Sequence, residues 1–108
     1  MSKKTETELD SNDGIITYEL KRPTTISGTE YKEIKLDLYH LNGDDIASAE
    51  LEMMSSGNLI AGPAELNKTY LMHIAARATK IPFEVLKQFS IKDVSAITMM
   101  TQTFLMQP

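Results

Sequence analysis

The side chains best able to do acid–base or metal chemistry are two histidines, His40 and His73, and the adjacent pair Asp44-Asp45. A metal site would need both histidines close together with carboxylates, and neither belongs to a recognisable ligand spacing. His73 lies inside a helical pattern, four residues before Arg77, and reads as an ordinary helix residue. His40 follows Tyr39 at the end of a strand pattern, four residues before Asp44. Adjacent helical residues do not point at a common centre, so helix capping accounts for Asp44 and solvation for Asp45. Ser55-Ser56 has no paired base and no nucleophile elbow. Gly28, Gly43, Gly57 and Gly62 do not form a phosphate-binding loop. Cysteine is absent, which removes thiolate chemistry and disulfides and suits a reducing compartment. No residue is therefore assigned to catalysis, to a cofactor or to a metal, and the chain reads as a protein that is not an enzyme.

Composition narrows the alternatives. At 108 residues and 42% apolar content, the chain fits one modest domain with a thin core. Residues 1–57 carry twelve acids and six bases, whereas residues 58–108 carry three acids and five bases. The net charge of −4 argues against a nucleic-acid partner, which calls for a basic footprint. Lys68, Arg77, Lys80, Lys87 and Lys92 lie far apart and read as solvated helix faces. No apolar run approaches the roughly 20 residues a membrane helix needs. Residues 1–13, "MSKKTETELDSND", lack the apolar run of a signal peptide and read as a disordered tail. Residues 14–108 then form a single α+β domain, with a hairpin over 14–40 and a helical part over 44–106.

In "IITYEL", Ile16, Tyr18 and Leu20 alternate with Thr17 and Glu19; in "EIKLDLY", Ile34, Leu36 and Leu38 alternate with Lys35, Asp37 and Tyr39. Both stretches read as half-buried strands joined at Ser27-Gly28. A regular two-residue turn would set Leu20 opposite Lys35, so the apolar stripes would miss each other. Either a three-residue loop, pairing Leu20 with Leu36 and Tyr18 with Leu38, or a bulge in "RPTT" restores the parity. Pro23 cannot complete a central ladder and suits an edge or bulge.

A small bundle of about four short helices should follow the hairpin. The first starts at "LNGDD" with Asp44 as cap and stops at Ser55-Ser56-Gly57; Ile46, Ala49, Met53, Leu51 and Met54 make its apolar face. "LIAGPAE" is a connector. "AELNKTYLMHIAARATK" is the longest helical pattern and a candidate central helix, with Leu66, Tyr70, Leu71, Ile74, Ala75 and Ala78 on a broad apolar face. "KIPFEVLKQF" is a short third piece anchored by Phe83 and Leu86. Ser90 and Asp93 form a capping arrangement for the last helix, whose inward stripe is Ile91, Val94, Ile97, Thr98, Thr101 and Phe104 or Leu105.

That helix ends in "AITMMTQTFLMQP". Met99, Met100 and Met106 cannot share one narrow stripe at 3.6 residues per turn. They either finish a small core or coat a contact surface, because unbranched Met fills irregular gaps and adapts to varied partners. The surplus of apolar faces over core volume favours a partner-binding helical module. Its candidate contact residues are Met99, Met106, Met100 and Leu105.

The order of segments resembles the small tail assembly chaperones of contractile-tailed, Mu-like and P2-like bacteriophages. It rests on "ITYELKRPTTISGTEYKEIKLDLY", then "LNGDDIASAE", then the Ala-rich helix. "ATKIPFEVLKQF" follows, with Pro82, Glu84, Leu86 and Phe89 at the places of the family's short G-ϕ-P-x-E-x-L-x-x-L segment. Ser90 and Asp93 fall at the family's S-x-x-D, and Phe104-Leu105 close the last helix. The resemblance spans about residues 14–106; Lys80 stands where the family often has Gly. It implies a non-catalytic protein that binds the long helical tape measure protein, keeps it soluble during tail tube assembly in the host cytoplasm, and is absent from the mature virion. Self-association is a further expectation. The competing readings are a structural adaptor or small oligomeric subunit of a tail or related particle, and a small regulator acting through a protein partner.

Overall fold

In the hairpin, parity is settled by a bulge and not by the loop. The structure is a computed structural model describing residues 8–9, 14–57 and 62–107. Strands β2 (Ile16–Ile26) and β3 (Thr29–Leu36) join through the two-residue turn Ser27-Gly28, whose φ angles of 51° and 84° suit a tight hairpin. At the tip Ile26 pairs with Thr29 and Thr24 with Tyr31; further down, Tyr18 pairs with Ile34 and Ile16 with Leu36. Between Glu19 and Thr24 the ladder shifts, so four residues of β2 span one of β3. That odd surplus turns Ile16, Tyr18 and Leu20 onto the face of Ile34 and Leu36. The three-residue loop and its pairings, Leu20 with Leu36 and Tyr18 with Leu38, are not found.

A two-residue strand, β1 (Glu8–Leu9), pairs antiparallel with Thr17 and Ile16 and completes a sheet of order β1-β2-β3. Of the tail expected at 1–13, only these two residues are described; the rest lies outside the described residues, as does much of the connector expected at 59–65.

Four helices follow: α1 (Gly43–Ser55), α2 (Lys68–Thr79), α3 (Phe83–Leu86) and α4 (Ile91–Met106). The chain is thus α+β, a hairpin with a small helical bundle. The cap of α1 is Asn42, not Asp44. The Asn42 side chain accepts from the N–H groups of Asp44 (3.0 Å) and Asp45 (3.4 Å), and Asp45 Oδ2 accepts from the Asn42 N–H (2.9 Å). This reciprocal pair satisfies donors the first turn would leave orphaned. Only Ala49 and Met53 of α1 are buried; Ile46, Leu51 and Met54 are exposed.

The long pattern over 64–80 splits. Ala64–Leu66 form a 3₁₀ turn, and α2 begins after Asn67, whose side chain accepts from the Tyr70 N–H (2.9 Å). An Asn at that place competes for the backbone as a cap and divides what propensity alone would join. Helix α2 buries Tyr70, Leu71, His73, Ile74, Ala75, Ala76 and Ala78, and it packs against α1, α4 and β3. Beyond β3, the Asp37 N–H donates to the Ala78 carbonyl (3.1 Å), tying the sheet's exit to the end of α2. In α4, Ile97, Thr98 and Thr101 are buried and Val94, Phe104 and Leu105 half-buried. Ile91 departs from the expected inward stripe: at the first helical position it is 82% exposed.

Candidate interaction site

Asp93 fixes α4 on the sheet. The capping arrangement is real in one direction: the Asp93 N–H donates to Ser90 Oγ (3.2 Å). The Asp93 carboxylate, however, is fully buried and turned into the bulge. It accepts from Tyr18 Oη (2.7 Å), the Lys21 N–H (2.8 Å), the Arg22 N–H (3.1 Å) and Ser90 Oγ (2.8 Å). Burial pushes its pKa up, but the donors from Tyr18, Lys21, Ser90 and Arg22 outweigh this and hold it below the ordinary 3.8. The bulge therefore has a cause. Two N–H groups released from the ladder beside Pro23 are taken up by an anion in the first turn of α4, where the helix dipole favours negative charge. Two signals in the sequence point here: a tyrosine on the buried stripe whose hydroxyl needs a partner, and a strand whose parity demands a bulge.

The same anchoring presents the C-terminal half of α4. Met99 and Met106 are each 58% exposed, whereas Met100 and Leu105 are half-buried and packed on the core. A depression of about 500 Å³ runs between Met99, Met100 and Phe104 on one side and Ile16 and Tyr39 on the other. A second, of about 280 Å³, lies between Leu105 and Leu41, Ile46 and Leu38. Phe104 borders both and so is only half-buried, where the sequence places it inward. No charged residue lines either depression, and residues 94–107 contain none. Gly14, at φ 75°, forms part of the rim; a Cβ there would come within 3.3 Å of the Tyr39 Cβ, so the glycine lets β2 begin against that ring. Tyr39 itself is 70% exposed. The sequence points Tyr39 away from the strand's apolar face, but not toward α4.

The other candidate side chains keep separate company. His40 Nδ1 lies 2.7 Å from Asp37 Oδ1 at the surface. His73 is buried and stacked flat on Phe83, with ring centroids 3.9 Å apart. Burial holds its pKa below 6.5, partly offset by Glu52. Arg77, expected as a solvated base, ties α2 to α1 through Asp45 (2.8 Å) and Glu52 (3.3 Å). Asp45 is held below its usual carboxylate pKa, first by the Asn42 N–H and then by Arg77. Among the described residues no group of three His, Cys, Asp or Glu could hold a metal ion, and no helix is long and apolar enough to cross a membrane.

A hairpin bolted to a helical bundle, with uncharged apolar depressions along its last helix, is the architecture the residues build. Residues 17–106 match the family of phage tail assembly chaperone proteins described as "E, or 41 or 14", and the chain belongs to that family. Its role is accordingly non-catalytic, as a chaperone of phage tail assembly. No curated protein and no solved structure matches it.

Proposed function

We propose that the chain binds the tape measure protein during tail assembly and keeps it soluble, with the trough along α4 as the gripping surface. The observation that carries this is the uncharged trough bordered by Met99, with Met106 exposed further along the same helix. A long amphipathic helix presents repeated apolar stripes, and a helix-in-groove mode suits it. Adaptable Met side chains tolerate changes of sequence from one binding position to the next. Met100 and Leu105, packed on the core beneath, form the floor that a client helix meets. In this reading the protein acts in the host cytoplasm and leaves before the virion matures. Co-expression tests it: the tape measure protein should stay in the soluble fraction with the wild-type chain and precipitate with Met99→Glu/Met106→Glu. Mass spectrometry of purified virions should find no copies; stoichiometric retention would favour a structural adaptor.

A further inference from the structure

The two depressions along α4 meet at Phe104, which borders both. They also share a second wall. The segment 37–42, between β3 and α1, brings Tyr39 to the larger depression and Leu38 and Leu41 to the smaller. This segment is braced along its length. The Asp37 N–H donates to the Ala78 carbonyl (3.1 Å), the Leu41 N–H donates to the Leu38 carbonyl (3.2 Å), and Asn42 belongs to the capping box of α1. His40 Nδ1 lies 2.7 Å from Asp37 Oδ1 across the same turn. A braced turn and a helix therefore set the two depressions in place before a partner arrives, which lowers the ordering cost of binding.

Charge and spacing describe what fits. Neither lining holds a charged residue, so a charged side chain entering either depression would lose water and gain no partner. One side chain, Phe104, divides them. Residues three or four apart on a helix stand on one face with about 5–6 Å between their Cβ atoms, a gap that receives one side chain of a facing surface. We propose that the client helix straddles Phe104, with one apolar side chain in each depression, three or four residues apart on an uncharged stripe. This rests on the reading of the α4 face as the client surface and adds a second anchor point to it. The depression of about 500 Å³ takes the bulkier side chain, and that of about 280 Å³ takes an aliphatic one. Ile46 of α1, 39% exposed and lining the smaller depression, thereby becomes a client contact although it lies outside α4.

The test is an amide chemical-shift titration of the full chain with an amphipathic helical fragment of the tape measure protein, on the wild type, Tyr39→Ser and Ile46→Ser, each confirmed folded by circular dichroism. The fragment should shift amides of both 38–46 and 99–107. Each substitution should weaken binding at least about fivefold, as loss of one apolar contact at the centre of an interface would give, and Ile46→Val should bind more tightly than Ile46→Ser. On the wild-type chain, replacing either of two fragment residues three or four apart by Gln should weaken binding by a similar factor. Raising the salt from about 0.05 to about 0.5 M should change the affinity less than about twofold, because no ion pair is formed. Weakening by Tyr39→Ser but not by Ile46→Ser, with a single sensitive residue in the fragment, would overturn the straddling arrangement and leave the client reading standing. A steep loss of affinity with salt would overturn the uncharged stripe in the same way. Absence of binding, or shifts away from both depressions, would overturn the client reading and this proposal together. Concentration-dependent shifts of 38–46 and 99–107 in the chain alone, abolished by Ile46→Ser, would give the face to a second copy and overturn the proposal.

Discussion

Removing the Asp93 carboxylate should be among the most damaging single changes in this small domain. In Asp93→Ala four donors lose their acceptor: Tyr18 Oη, the N–H groups of Lys21 and Arg22, and Ser90 Oγ. Tyr18 is fully buried, so loss of the bond from its hydroxyl to Asp93 should cost about 1–3 kcal/mol. Lys21 and Arg22 are exposed, and water can reach their amides in part. Release of the carboxylate's own desolvation offsets some of the loss. The net expectation is a loss of about 3–4 kcal/mol, against a total stability on the order of 5–15 kcal/mol. Tyr18→Phe removes one donor and should cost about 1–1.5 kcal/mol. In the double variant the effects should fall short of additive by about 1 kcal/mol, because both act on one hydrogen bond. Urea unfolding followed by circular dichroism measures all three. Strict additivity, or a cost below about 1 kcal/mol for Asp93→Ala, would refute the claim that this carboxylate holds bulge and helix together. The pH dependence gives the same test another form. A carboxyl whose pKa is lowered on folding contributes stability that is complete above its unfolded value, near 3.8, and is lost as pH falls through the folded value. The difference between wild type and Asp93→Asn should therefore shrink only below that pH.

His73 should act in a higher window. Its folded pKa lies below 6.5, so the unfolded chain binds the proton first and stability should decline as pH falls from 6.5. A ring titration by NMR with a midpoint at or above 6.5 would contradict the burial argument. Asn42→Ala should lose about 1 kcal/mol through the broken capping box, read as a lower urea midpoint with an unchanged m-value. Phe104→Ala should cost about 2–3 kcal/mol, near the low end for a core Phe, because the ring is already half-buried. Met99→Ser/Met106→Ser should leave the urea midpoint nearly unchanged, and a loss equal to that of Phe104→Ala would make the methionines ordinary core.

The apolar periodicities carried most of the architecture. Period-two alternation around Tyr18 and Ile34 located the hairpin, and the parity conflict called for an irregularity that the bulge supplies. The central place of α2 followed from its broad apolar face. Boundaries set by local side-chain competition were harder to see. Asn42 takes the cap from Asp44, and Asn67 divides a continuous helical pattern, because each Asn binds backbone donors that propensity does not count. Ile91 looked inward by spacing but lies at the first helical position, before the helix meets the sheet. The exposure of Met99 and Met106 was readable from their displacement around the helix. The place of Met99 beside Tyr39 and Phe104 was not, since that trough brings the start of β2 against the end of α4. The surroundings of His73 likewise join α1, α2 and α3, an association no local pattern encodes.

The central claim is that the exposed face of α4 grips the client. The most direct measurement is calorimetric titration of an amphipathic helical fragment of the tape measure protein into the wild-type chain and into Met99→Ser/Met106→Ser, with the Tm of both proteins recorded alongside. Burying two half-exposed thioether side chains against a partner contributes roughly 1 kcal/mol each, so the variant should bind about tenfold or more weakly while melting at the wild-type temperature. Wild-type affinity in the variant at an unchanged Tm would contradict the account and move the gripping surface off α4.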